Sequence, residues 1–421
     1  MELRFYYDVV CPYAYLASTK IEALARRTGA QLIWKPVLLG GIFRTIKRQK
    51  APMEAMNQAR ARLNLIDMHR WADWWACSLH LPSAHPRRTV SAMRLLCAVS
   101  DVQRPALSHR LFRAYWVEGL DVGQQAVLEQ LASEFGLSID CVAQRQIKER
   151  LFENTAEATN HGAFGVPAFV VDGQLWWGQD RLHLVERALG GDRQIPWAGL
   201  AAHPGATIEF FHDFASPFSY LAATQIEALG EAIGATVVSR PMLLGALFRT
   251  LGTADVPLFE MTSQKRAYMG KDLRDWADYW DVPFRFPDHF PLRTVTALRV
   301  ALAAPETTRV LYDAVWRDNQ PIDHDGILEK VLAFGGFDAP ALMSAAQSQA
   351  IKAALRVNTE AAVNAGACGA PSFVVRGAGH SKPLLFWGQD RLNMVAKAAS
   401  GWRPFSHSPD DGYHANTDSR P

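Results

Sequence analysis

Leu3-Arg-Phe-Tyr-Tyr-Asp-Val-Val-Cys-Pro-Tyr13 returns 205 positions later as Ile208-Glu-Phe-Phe-His-Asp-Phe-Ala-Ser-Pro-Phe218. Each copy opens on a short β-rich run (Leu3–Tyr7, Thr207–Phe211) closed by an aspartate. Pro12 and Pro217 then start helices, where proline is tolerated because first-turn N–H groups lack intrahelical partners. The same displacement carries Pro36-Val-Leu-Leu-Gly40 onto Pro241-Met-Leu-Leu-Gly245, Trp71-Ala-Asp73 onto Trp276-Ala-Asp278, and Arg88-Thr-Val90 onto Arg293-Thr-Val295. After a small drift, Gly165-Val-Pro-Ala-Phe-Val-Val171 meets Gly369-Ala-Pro-Ser-Phe-Val-Val375, and Trp177-Gly-Gln-Asp-Arg-Leu182 meets Trp387-Gly-Gln-Asp-Arg-Leu392. Solenoid repeats run about 20–50 residues, far below this period, so the chain is a tandem duplication of a whole domain.

Within each unit the pattern predicts strand, helix, strand, a long helical insertion, a Pro-led strand, another strand and a closing helix, an α/β order. Leu221, Ile226, Leu229 and Ile233 place an apolar stripe on the first helix of the second unit. The expected divisions are a domain over 1–189, a Gly/Ala/Pro-rich linker over 190–206, a domain over 207–402 and a disordered polar tail over 403–421. A hydrophobic fraction of 49% over 421 residues supports two cored domains. A net charge of +2 with both signs interspersed argues against a nucleic-acid partner. The acidic N-terminus does not read as a signal peptide, and no stretch is apolar enough to span a membrane, so a cytoplasmic location is expected. Five cysteines without C-x-x-C spacing predict neither a zinc site nor a disulfide framework.

Three repeated features carry chemistry. Cys11 and Ser216 sit just before proline-started helices, where unpaired N–H groups favour an anion. A cysteine there is expected to have a depressed pKa, and a serine hydroxyl to donate to a thiolate supplied by a ligand. The competing readings are a half-buried filler for Cys11 and a helix cap for Ser216. Val166-Pro167 and Ala370-Pro371 each precede a strand. They are candidate cis bonds whose outward backbone groups can pair with an extended peptide, against a plain trans proline. The Trp-Gly-Gln-Asp-Arg turns offer free N–H groups to a carboxylate, with Asp180 and Asp390 placed for an ammonium, against simple capping.

The runs Asp213–Ala222, Arg240–Arg249, Lys265-Arg-Ala-Tyr268, Phe290–Thr294, Gly369-Ala-Pro371 and Phe386–Arg391 resemble the 2-hydroxychromene-2-carboxylate isomerase family. That family stands with kappa-class glutathione transferases and DsbA-like thioredoxin-fold proteins. The resemblance covers most of 207–400 and, with gaps, 1–189, where Arg60 and Leu63 meet Lys265 and Tyr268. It implies two thioredoxin-like domains, each with a large helical insertion and glutathione as cofactor. Ser216 would hydrogen-bond the sulfur, and Ala370 ahead of a cis Pro371 would pair with the cysteinyl part. Gln389, Asp390 and Arg391 at the last helix would take the γ-glutamyl end. Arg249, Lys265 or Arg293 would supply positive charge, while Val166, Pro167 and Asp180 are the matching positions of the first unit. It also implies isomerisation of an aromatic substrate by addition and loss of the thiol, and packing of the two units as an intramolecular pseudo-dimer.

Three readings follow. One is a glutathione-dependent isomerase or transferase acting on aromatic compounds. The second is a DsbA-type monothiol oxidoreductase using Cys11, which lacks the second cysteine of a dithiol cycle. The third is a thioredoxin-like module that only binds. Trp71, Trp74, Trp75, Trp276 and Trp280 are candidates for an aromatic pocket, against helical packing.

Overall fold

A computed structural model describes residues 1–46 and 56–404. Of the tail expected over 403–421, residues 405–421 lie outside the described residues. In the first half β1 (Glu2–Tyr7) leads through α1 (Pro12–Thr28) to β2 (Gln31–Pro36). Helices α2 (Leu39–Thr45), α3 (Gln58–Trp74), α4 (Val90–Ala98), α5 (Arg104–Trp116), α6 (Gln125–Ser133) and α7 (Arg145–Asn160) follow. The half closes with β3 (Ala168–Val171), β4 (Gln174–Trp177) and α8 (Leu182–Ala188). The second half repeats this with β5 (Thr207–His212), α9 (Pro217–Ala223), α10 (Ile226–Ile233) and β6 (Thr236–Pro241). Its insertion comprises α11 (Leu244–Thr250), α12 (Ser263–Trp280), α13 (Val295–Ala303), α14 (Thr308–Trp316), α15 (Asp325–Phe334), α16 (Ala339–Ala345) and α17 (Gln349–Asn364). Strands β7 (Ser372–Arg376) and β8 (Leu384–Trp387) and helix α18 (Leu392–Ala399) complete it.

The sheets are ordered β2-β1-β3-β4 and β6-β5-β7-β8. The first pair in each is parallel, and the last two strands join antiparallel. Register is set by aromatic pairs on the buried faces: Phe5 stacks on Phe169, and Phe210 on Phe373, each with centroids 5.4 Å apart. This alternation leaves the carboxyl end of β1 and of β5 pointing at the start of the following helix, where the repeated Cys-Pro and Ser-Pro steps lie.

One long helix was expected after Pro217, but there are two. The break falls at Thr224 and Gln225, where φ widens to −117° at Gln225, so the apolar stripe is shared between α9 and α10. The first half keeps a single 17-residue helix.

The stretch 190–206 lies packed on the second half. Trp197 is buried and stacks on Trp280, Tyr279 Oη donates to Gln194 O, and the Ala202 and His203 N–H groups donate to Ile233 O and Ala399 O. Among the described residues no helix is long and apolar enough to cross a membrane, and no group of three or more His, Cys, Asp or Glu could hold a metal ion.

Candidate functional site

The aspartates that close the first strands organise each site. Asp213 is buried and accepts from Ala215 N, Leu244 N and Thr294 Oγ1 at 3.0, 2.8 and 2.6 Å. Asp8 does the same with Val10 N, Leu39 N and Thr89 Oγ1. The repeated Pro-x-Leu-Leu-Gly and Arg-Thr-Val segments therefore meet at the turn that presents residue 216 or residue 11. Burial pushes both carboxyls above their ordinary range, with the hydrogen bonds to Leu39 or Ala215 pulling back.

Ser216 caps α9 by accepting the Ser219 N–H at 3.1 Å, and its hydroxyl donates to Ala370 O at 2.9 Å. The capping reading is thus correct, with the hydroxyl proton engaged by Ala370 O. In the first half Cys11 Sγ donates to Val166 O at 3.1 Å. The Val166-Pro167 and Ala370-Pro371 bonds are both cis, as are His85-Pro86 and Phe290-Pro291, which the sequence reading had not singled out. Pro167 O and Pro371 O accept from the N–H of Gly178 and Gly388, each at 3.0 Å, so the Pro loop and the Trp-Gly-Gln-Asp-Arg turn are one unit. Gly178 and Gly388 have φ of 106° and 102°, which a side chain would strain.

The depressed thiol expected at Cys11 is not what this environment gives. Burial pushes it up to about 12, against the hydrogen bonds from Ala14 and Tyr13, and Asp8 adds to the rise. A buried thiol beside a carboxylate is pushed toward its neutral form. An alkylating reagent at pH 8 is accordingly expected to modify half-exposed Cys77 at least about tenfold faster than Cys11. Preferential labelling of Cys11, read by peptide mass mapping, would show the environment to be wrongly described.

The last-turn residues reach across to the other half. Arg181 pairs with Asp272 at 2.7 Å and Asp390 at 2.9 Å, and Arg391 pairs with Asp67 at 2.8 Å and Asp180 at 2.9 Å. Each guanidinium also lies over an indole, Arg181 over Trp276 and Arg391 over Trp71. Gln389 is buried and accepts from Trp280 Nε1 at 3.0 Å. Trp71 and Trp276 therefore pack where the halves meet, Trp280 stacks between Trp276 and Trp197, and Trp74 packs on Trp402. Asp67 and Asp272 were not singled out in the sequence. Their signal is that both fall at the 205-residue displacement on corresponding helices.

Lys265 Nζ lies 6.0 Å from the Trp177 ring of the first half. Arg249 donates to Gly245 O within its own helix, and Arg293 is exposed. The structure thus brings Ser216, Ala370, Pro371 and Gly388 together, ties Gln389, Asp390, Arg391 and Asp180 into contacts between protein groups, and points Lys265 at the first half.

A family model described as a DSBA-like thioredoxin domain matches residues 2–190 and again 207–400. The 2-hydroxychromene-2-carboxylate isomerase of Sphingobium xenophagum is 27% identical over 199 residues, covering 44% of this chain and 97% of that protein. Glutathione S-transferase kappa 1 of Rattus norvegicus is 27% identical over 207 residues, covering 45% of this chain and 90% of its own length. A solved 2-hydroxychromene-2-carboxylate isomerase structure aligns with 45% of this chain and 95% of its own at 23% identity, with a TM-score of 0.41. Each of these proteins corresponds to about half of the chain.

Proposed function

The chain belongs to the DSBA-like thioredoxin domain family, and from that premise we propose that its C-terminal half is a glutathione-dependent isomerase or transferase acting on aromatic compounds. The observation that carries this reading is the Ser216 hydroxyl, buried and shared between the Ser219 N–H and Ala370 O. It joins a donor for sulfur to a backbone segment able to pair with an extended peptide. The isomerase and kappa-class names of the relatives support the same class of chemistry.

The residues present fit glutathione. A hydroxyl has one proton and two lone pairs, so Ser216 keeps its cap while turning its proton from Ala370 O to a sulfur. Asp67, Asp180, Asp272 and Asp390 set four carboxylates against three guanidiniums, those of Arg181 and Arg391 and, near Asp67, that of Arg70. That excess of acid suits the γ-glutamyl ammonium, with Asp390 serving the Ser216 site and Asp180 its counterpart. When bound, glutathione supplies a thiolate that adds to and leaves a conjugated double bond, which permits cis–trans isomerisation. Ser216 holds that sulfur deprotonated, Ala370 and Pro371 orient the chain beside it, and the buried turn excludes water. Gln389 fixes Trp280 and so positions the turn that carries Asp390. The contacts of Arg181 and Arg391 support a further part of the reading, that the halves form an intramolecular pseudo-dimer. The buried, neutral Cys11 gives no support to the monothiol oxidoreductase reading.

The test is calorimetric titration of glutathione into the intact chain, with turnover of 2-hydroxychromene-2-carboxylate as the readout of chemistry. Wild type is expected to bind and turn over, and Cys11→Ser to keep the turnover within about twofold, because position 11 belongs to the other half. A chain that binds no glutathione, or one whose activity disappears with Cys11, removes this reading.

A further inference from the structure

Arg60, Asp67, Arg70 and Trp74 of α3 reach the second half, and with the buried Leu63 they are spaced at three and four as one helix face requires. Arg60 lies over the Trp387 ring at 5.3 Å, and Asp67 holds Arg391. Arg70 lies over Phe386 and donates to Leu385 O. Trp74 sits against Trp402 and Lys397. Just before the helix, Asn57 Nδ2 donates to Thr253 Oγ1 of the second half. The corresponding stripe of α12 is turned toward the first half: Lys265 lies over Trp177, Tyr268 Oη accepts the Trp177 N–H at 2.9 Å, and Asp272 holds Arg181.

The two indoles are next to the two sites. An added Cβ on Gly369 would stand 2.7 Å from Trp387 Nε1, and one on Gly165 would stand 2.8 Å from Trp177 Nε1. Gly369 immediately precedes Ala370, whose carbonyl takes the Ser216 proton, and Gly165 precedes Val166, whose carbonyl takes the Cys11 proton. Arg60 is also close enough to Cys368, the residue before Gly369, to pull its thiol down against the burial that raises it to about 12. Arg60 and Lys265 are counterparts at the 205-residue displacement, and each stands at the loop of the opposite half.

We propose that the two cations are exchanged between the halves: Arg60 is the positive residue of the Ser216 site and receives a carboxylate of the glutathione held there, while Lys265 serves the equivalent place beside Cys11. This rests on the proposed glutathione site at Ser216 and reassigns the residue that the family pattern would place in it. Arg60 is exposed and its guanidinium presents a fork that matches a carboxylate. A site completed from the opposite half explains why Lys265 lies over an indole of the first half, to which its sequence match does not belong.

The experiment is glutathione calorimetry on the intact chain, using the heat that Ser216→Gly weakens as the signal of the C-terminal site. Arg60→Ala is expected to weaken that component about tenfold, with Arg60→Lys recovering most of the loss, and Lys265→Ala is expected to weaken it several times less than Arg60→Ala does. Arg60→Gln, which keeps the stem over Trp387, repeats the measurement should alanine perturb the helix. No effect at Arg60, or an effect of Lys265→Ala as large as or larger than that of Arg60→Ala, overturns the exchange while leaving glutathione binding in place. A wild-type chain that takes up no glutathione removes the proposed site itself, and the exchange with it.

Discussion

Ser216→Gly is expected to lower kcat/KM for glutathione-dependent turnover by about 10²-fold. The hydroxyl is the donor proposed for the sulfur, and a hydrogen bond to a charged acceptor contributes about 1.5–3 kcal/mol. The same loss raises the pH needed for half-maximal rate by about one to two, since each tenfold in acidity is about 1.4 kcal/mol. Glycine is the informative replacement because it keeps the capping position to within a few tenths of a kcal/mol, whereas alanine costs about 1 kcal/mol. Loss of the buried bond to Ala370 O adds about 1 kcal/mol, so the variant should melt a few degrees below wild type and stay folded, and activity is read well below that melting temperature. Activity retained within about threefold in a folded Ser216→Gly protein would mean that the sulfur is held elsewhere.

The second large effect is structural. Arg181→Met leaves Asp272 and Asp390 without their main partner in a site where Asp272 is 2% exposed. Removing one side of a buried pair costs about 3–5 kcal/mol, because the remaining charge is stranded. Differential scanning calorimetry should show a drop of about 10 °C, while Arg145→Ala, which removes an exposed pair with Glu149, should change nothing measurable. The pH dependence has a definite sign. Burial works to raise Asp180, but Arg181 and Arg391 outweigh it and hold the carboxyl below the ordinary range. Its stabilisation is complete above the unfolded value of about 4 and is lost as pH falls through the lower folded value. Asp272 runs the other way: burial keeps it raised despite Arg181, so its ionised form costs stability at neutral pH. Arg181→Met takes away one of the two cations on Asp180, and the acid limb of its melting profile should move to higher pH. An unchanged melting profile would show that the buried pairs do not hold the halves together.

Local chemistry was readable from the chain because the repeat printed it twice. The aspartate, the residue before proline, the X-Pro step and the Trp-Gly-Gln-Asp-Arg turn recur in order, and in space they meet through Ser216 Oγ to Ala370 O and Gly388 N to Pro371 O. What could not be read is what depends on which half a side chain faces. Asp67 and Asp272 look like solvated helix positions until Arg391 and Arg181 are seen to reach them from the opposite unit. The tryptophans of α3 and α12 fit an aromatic pocket equally well on paper, yet Trp280 stacks on Trp276 and on Trp197. The Cys11 thiol is a different case. A helix start lowers a thiol pKa only where burial is partial, and here the buried sulfur has the Val166 carbonyl as its acceptor and Asp8, rather than a cation, as its charged neighbour. The break between α9 and α10 falls at one glutamine, a local backbone change below the resolution of apolar periodicity.

The most direct test is a pH titration of the ultraviolet thiolate absorbance that appears when glutathione is added to the intact protein, compared with Ser216→Gly. The account predicts a bound thiol that ionises well below the value of about 8.5 for a free cysteine thiol, and loses that depression in the glycine variant. A bound thiol titrating where free glutathione does, or a curve identical in the two proteins, would contradict it.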